Sequence, residues 1–335
     1  MAPSRPAHVR LRRALLFGEA GVLPTLFVAL VIALSIAQPY FLAGQNIVNV
    51  LRNASFLIIA ASGQMLVLIV GGFDLSIGAV IALTSVVSAS VMAGLPGWGV
   101  HGTGLIILLG VLAGLGCGLA VGLANALCVA VLRVPPFMAT LGTMSIANGL
   151  GLLLTNGIPV YGMPDSYVAA VGRAIVLHLP IALYAAAVVV ILLWCLLNLT
   201  RIGRYIYASG GNIQAAMVSG INTRAMLVLA YVLSSLLGSV TGLLLTAEIG
   251  SGQATTGDAL MLESLAAAVL GGVSLRGGVG RVELVALGAI FLLTLTNAMD
   301  LMRVDTRLQT IVLGGILGGA VSLEVLGRAR QTVRV

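Results

Sequence analysis

Stretches without a single charge recur along this chain, and each is long enough to cross a bilayer, which takes about 20 apolar residues. They cover Ala20–Leu51, Asn53–Phe73, the region between Leu75 and Arg133, Val134–Pro164, Ala174–Thr200 and Ala225–Ala247. The runs are continuous instead of alternating at every second residue, which argues for helices and against a transmembrane β-barrel. Charged residues make up 8% of the 335 positions and hydrophobic ones 59%, whereas a soluble domain carries about 25% charged residues. No segment is left over for a soluble domain. The expected architecture is an all-α, polytopic transmembrane helix bundle, and the 43 glycines suit helices that approach closely through small residues.

Breaks rich in Gly, Pro and polar residues divide the chain into about ten expected spans: 20–40, 54–71, 76–94, 104–132, 138–156, 179–199, 225–247, 259–272, 283–301 and 308–325. All 17 positive charges are arginines, and their distribution orients the threading, because loops on the cytoplasmic side are enriched in basic residues. With both termini cytoplasmic, 13 arginines face inward and only Arg52, Arg173, Arg303 and Arg307 face outward. The organisation is then a basic N-terminal segment (1–19), a membrane domain (20–325) and a C-terminal tail (326–335). His8–Phe17 reads either as a stretch that anionic lipid attracts to the inner membrane face or as a solvated tail. Segment 259–272 is too short to stand upright across the membrane and carries Glu263, so a broken or re-entrant helix is expected there, in contact with protein or a cavity.

Several functions are excluded. A P-loop needs a lysine to reach nucleotide phosphates, and this chain has none. His8, His101 and His178 are scattered, and Cys117, Cys128 and Cys195 lie in apolar runs without metal-ligand spacing. No cofactor or metal is expected. The net charge of +7 is spread over membrane flanks with no soluble module to present it to nucleic acid.

Segment 201–224 is a polar interruption between two full spans and reads as a short helix with a break on either side. Asn212 can cap its start and Gly220 can end it. Ile213, Ala216, Met217 and Ile221 share one face at helical spacing. An apolar stripe outside the membrane needs a cover, either the protein's own bundle or a groove on a cytoplasmic partner.

The sequence Ala208-Ser209-Gly210-Gly211-Asn212, followed by Ala215-Ala216 and Ser219-Gly220-Ile221, resembles the coupling loop of permeases in the ribose-type family of ATP-binding-cassette sugar importers. Three further blocks match that family in order: Gly71–Gly78 (Gly-Gly-Phe-Asp-Leu-Ser-Ile-Gly), Pro135–Thr143 and Ala268–Gly280. The resemblance implies a bacterial inner-membrane subunit that moves a small polar solute. It would pair with a second permease copy or paralogue, with cytoplasmic ATP-hydrolysing subunits and with a periplasmic solute-binding protein. Gly210, Gly211, Asn212, Ala215, Ala216, Met217, Ser219, Gly220 and Ile221 would form the contact with the ATPase.

Polar residues inside apolar runs are candidates for a gate or pathway, because they are costly there: Asn53, Gln64, Asp74, Asn125, Thr140, Thr143, Asn148, Glu263 and Asn297. Each also has a plain structural reading. Asp74 can favour the positive end of a helix dipole, the uncharged groups can hydrogen-bond between helices, and Asp300 beside Arg303 reads as a surface charge or ion pair. The pattern Gly-Gly-x-[Asp/Ser]-Leu-x-x-Gly occurs at 71–78 and again at 271–278, as an internal duplication or a coincidence would leave it. The rival to an ATP-driven permease is an ion-coupled secondary transporter. That rival needs carboxylates or unwound helices at mid-membrane, whereas most acidic residues here lie at span ends.

Overall fold

A computed structural model describes residues 22–332, with the backbone alone for Val22 and for most of the last helix beyond Gly319. The expected inner-face stretch His8–Phe17 and the rest of segment 1–19 lie outside the described residues. Twelve elements organise the chain: α1 (Val22–Ala37), α2 (Gly44–Ile69), α3 (Ile77–Gly94), α4 (Thr103–Ala126), α5 (Pro136–Thr155), α6 (Ile181–Leu199), α7 (Arg201–Gly211), α8 (Ile213–Val218), α9 (Thr223–Ile249), α10 (Asp258–Leu270), α11 (Val282–Leu301) and α12 (Thr306–Thr332). One small β-hairpin departs from the all-helical expectation, pairing Ile175–Val176 with Leu179–Pro180.

Seven helices among the described residues are long and apolar enough to cross a membrane: α2 to α6 without exception, then α9 and α11. The other three expected spans are not among these seven. Within 20–40 the described residues form the 16-residue α1, 259–272 overlaps the 13-residue α10, and 308–325 lie within α12, which also takes in 326–332 of the expected tail.

The centre of the bundle is α2. From Ala54 to Ile69 every residue is buried, on all faces, as an apolar helix enclosed by others must be. It packs against α9, α11, α10 and α6. Its first two turns reach back to Gly44, ten residues before the expected span start. In the sequence Arg52 marks a span boundary, but the residue lies within α2 and its guanidinium meets Glu248 at the end of α9, 3.1 Å away. A paired charge need not end a helix.

A second packing device is the seam of α4. Gly110, Gly114, Gly118 and Gly122 are buried at four-residue spacing, while Leu105, Leu108, Leu112, Leu119 and Leu123 on the other faces are exposed. A side chain at Gly118 would run into Ser239 and the Ser235 carbonyl of α9, and one at Gly110 into Met92 of α3. Removing the Cβ atoms brings three helix backbones together, where apolar side chains gain nothing over lipid.

Two segments enter the bundle without helical structure. One is 71–76, which leads into α3; the other is 250–257, which leads into α10. They meet where Gly78 and Gly257 touch backbone to backbone, with no room for a Cβ on either. At 13 residues, α10 rises only about 20 Å, against a hydrocarbon core of about 30 Å. The expectation of a broken or re-entrant segment around 259–272 is consistent with this geometry, since irregular backbone at depth must be covered by protein or line a cavity.

Candidate functional site

The four sequence blocks singled out above, drawn from across the chain, come together at one end of the bundle. At its centre is the Ile69 carbonyl, which accepts a hydrogen bond from the Gly278 N–H at 2.8 Å. A Cβ on Gly210 would overlap that same carbonyl, and one on Gly277 would lie 2.8 Å from the Gly210 carbonyl and 3.0 Å from the Gly71 nitrogen. Gly71 and Gly277 both take positive φ, +80° and +89°, which an L side chain resists. Glycine is therefore required twice over, for turn geometry and for contact between three backbones. Tyr207 of α7 adds a clasp, donating from its hydroxyl to the Gly280 carbonyl at 2.7 Å.

Above this joint, segment 71–76 carries the buried polar centre. One oxygen of Asp74 accepts from the Ser76 N–H at 2.9 Å and the Ser76 hydroxyl at 2.6 Å. The other accepts from the Ser234 hydroxyl of α9 at 2.9 Å. Asn125 of α4 donates to the Ser76 hydroxyl at 2.7 Å, and Thr143 of α5 donates to the Asn125 carbonyl oxygen at 2.6 Å. The Thr140 hydroxyl donates to the Pro136 carbonyl at 2.9 Å, and Phe73 sets its ring 6.4 Å from that of Phe137. Tyr231 closes the turn, its hydroxyl lying 3.2 Å from the Phe73 carbonyl and 3.3 Å from the Phe73 nitrogen. The carboxylate of Asp74 is wholly buried and bonded on both oxygens, the condition under which a buried acid is tolerable.

The loop at 201–224 is two helices where one was expected. Thr200 caps α7 by accepting from the Gly203 N–H at 3.2 Å. The helix then buries Gly203, Ile206 and Ser209 on one face. Its glycines and exposed arginines conceal it from propensity, and close packing of Gly203 on the Leu196 and Leu197 carbonyls holds it instead. Asn212 breaks the backbone and caps α8, accepting from the Ala215 N–H at 3.0 Å; Gly220 follows with φ +79°. The apolar stripe is divided: Ala216 is buried and Ile221 partly so, while Ile213 (49%), Met217 (53%) and Val218 (90%) are open.

The remaining candidates fall in different places. Asn297 exchanges two hydrogen bonds with Asn46, at 3.0 and 2.8 Å, joining α11 to α2. Gln64 and Asn148 each bury an amide oxygen without a partner among the described residues. Asn53 and Glu263 line a separate cleft with Gln253, Thr255 and Thr256. Asp300 accepts from Gln309 at 2.8 Å, and the ion pair among the described residues is Arg52–Glu248, so an Asp300–Arg303 pair does not form. Ser76, Ser234 and Tyr231 were missed in the sequence. Tyr231 sits alone in an apolar run, which was the one available sign.

The two Gly-Gly copies share a local turn: Ser274 accepts from the Arg276 N–H at 3.1 Å as Asp74 does from that of Ser76. Within the leading Gly-Gly pair the left-handed residue differs, being Gly71 in the first copy and Gly272 in the other, and the second copy adds Gly277 and Gly278 at positive φ.

Residues 46–321 match the family described as the permease component of branched-chain amino acid transport systems. The chain belongs to that permease family. As a transport component it is not an enzyme. Curated relatives include the ribose import permease protein RbsC of Bacillus subtilis (38% identical, over 88% of this chain and 89% of the relative). Two others are the D-allose transport system permease protein AlsC of Escherichia coli (31%, over 93% of each) and the galactose/methyl galactoside import permease protein MglC of Salmonella typhimurium (34%, over 93% of this chain and 96% of the relative). No solved structure matches the chain.

Proposed function

We propose that this chain is the membrane-spanning subunit of an ATP-driven monosaccharide importer in a bacterial inner membrane. It would work as one of two permease copies or paralogues, with ATP hydrolysed on separate cytoplasmic subunits and sugar delivered by a periplasmic binding protein. The observation that carries the reading is the rigid connection from α8 to the buried centre at Asp74. An exposed apolar knob (Ile213, Met217, Val218) offers a partner a grip outside the spans. Behind it, the backbone joint at Gly210, Gly71 and Gly277 leaves no side chain to yield when the knob is pushed. A rigid short helix that moves as a body and tilts its neighbours is how alternating access is driven by rocking.

The relatives named for ribose, D-allose and galactose support a sugar as cargo. Ten spans with both termini inward are supported by the arginine distribution. The joint gathers residues 69–71, 210 and 277–280 at one end of the bundle, on the side to which that threading assigns the cytoplasm.

The test is reconstitution. The chain in proteoliposomes with its ATPase and binding protein should accumulate one of D-ribose, D-allose or D-galactose only when ATP is supplied on the ATPase side. Accumulation by the chain alone under a proton or sodium gradient would sink the proposal in favour of the secondary transporter.

A further inference from the structure

A cleft of about 290 Å³ opens between the outer half of α2, the last turn of α9, segment 250–257 and the first turns of α10. It is lined by Asn53 and Phe56 of α2, by Gln253, Thr255 and Thr256, and by Glu263 of α10. We propose that this cleft is the transit site for a single sugar ring on the outer side of the pathway. This rests on the importer reading and deepens it.

Polarity points to a ligand. The Asn53 amide and the Glu263 carboxylate have no hydrogen-bond partner among the described residues. The Thr256 hydroxyl oxygen is buried and unpartnered among them as well. Natural proteins seldom leave buried polar atoms unmatched, and the buried Thr256 hydroxyl, with the half-buried Glu263 carboxylate and the exposed Asn53 amide around the same cleft, is accounted for by a polyhydroxylated guest. Amide, hydroxyl and carboxylate groups offer sugar hydroxyls both donors and acceptors.

The chemistry of the wall also selects. Glu263 is the one charged group in the lining, and no cation is present; the nearby Arg52 is engaged by Glu248. The carboxylate of an amino acid would find no counter-charge and would face Glu263, whereas a neutral sugar meets neither penalty. Size agrees, since the cleft sits at the foot of the usual range for small-molecule pockets, roughly 300–1,000 Å³. One ring fits; an oligosaccharide does not.

Position completes the argument. Leu245 and Leu260 line the cleft and also pack on a buried cluster of Ala60, Ile77 and Ile81. That apolar layer closes the floor between the cleft and the Asp74 centre. The non-helical backbone of 250–257 forms a wall of the cleft, consistent with irregular backbone lining a hydrated cavity at depth.

Two experiments on the complete transporter test the site. Asn53→Trp and Thr256→Trp, filling the cleft from opposite walls, should each cut ATP-dependent uptake of the accepted sugar more than tenfold, while ATP hydrolysis by the assembled complex continues. Wild-type uptake in both variants overturns the site. Because a bulky residue can also prevent folding, an Asn53→Cys chain gives an independent reading. A charged, water-soluble methanethiosulfonate reagent should label the introduced thiol from the outer side, above the background of the unsubstituted chain, and block uptake. A thiol reached only by a lipid-soluble maleimide overturns the site. If the wild-type complex accumulates none of the three sugars under any condition, it is the importer reading that fails.

Discussion

The two polar regions of this membrane protein are opposites in how they are satisfied. Around Asp74 every strong group is bonded, through Ser76, Ser234, Asn125 and Thr143, to neighbours on α4, α5 and α9. In the outer cleft, Asn53, Thr256 and Glu263 lack partners among the described residues. A saturated network fixes helices in place, whereas unmatched groups on a cavity wall are free to greet something that arrives. Polarity within a membrane bundle thus has two meanings, and the hydrogen-bond inventory separates them.

Substitutions in four places probe the contrast, in falling order of expected effect. Asp74→Ala removes the acceptor of three bonds and leaves buried donors behind; with charged hydrogen bonds at roughly 1.5–3 kcal/mol each, the loss should be about 4.5–9 kcal/mol. It should appear as a large fall in the thermal midpoint of the detergent-purified protein, with Asp74→Asn milder. An unshifted midpoint would show that the network does not hold the bundle together.

Next comes Gly210→Ala, whose methyl would meet the Ile69 carbonyl and force the joint apart. Overpacking of this kind costs about 1–3 kcal/mol, but uptake should fall much further than stability does. A variant that transports normally at normal expression would break the link between α8 and the Asp74 centre. Asn297→Ala is smaller, at about 0.6–2 kcal/mol for an interhelical amide pair, and Asn46→Ala should add little once Asn297 is gone. Full additivity of the two in a melting series would contradict a direct pair. Last, Asn53→Ala and Glu263→Gln should change stability by under about 0.5 kcal/mol, as positions without structural partners do. A larger loss would move the cleft into the same class as the Asp74 network.

Much of this was legible in the sequence. Charge-free runs located the spans, because lipid tolerates little else, and the caps at Asn212 and Gly220 follow from local rules that need no tertiary contact. The helix α7 was invisible because its stability comes from Gly203 and Gly210 packing on carbonyls of other helices, and not from its own propensity. Arg52 misled for a related reason: its partner lies 196 positions away, and an unpaired arginine is a sound boundary marker. The candidate pathway residues formed one group by composition but fall into separate structural settings. Asn297 and Asn125 have the same side chain, and only their neighbours tell an amide pair from a link in the Asp74 network.

That long separation has a consequence for how the protein is made. The central helix α2 is completed early, yet Arg52 can be neutralised by Glu248 only after α9 has been synthesised. At about 5–20 residues per second, the 196 intervening positions take roughly 10–40 seconds. Throughout that interval α2 lacks α9, α10 and α11, three of the four helices that cover it in the finished bundle. A nascent chain stalled before Thr223 should therefore hold α2 beside the insertion machinery, where a photo-crosslinker at Asn53 would capture the machinery and not lipid. The helix that organises the mature protein thus waits, during synthesis, for most of its neighbours.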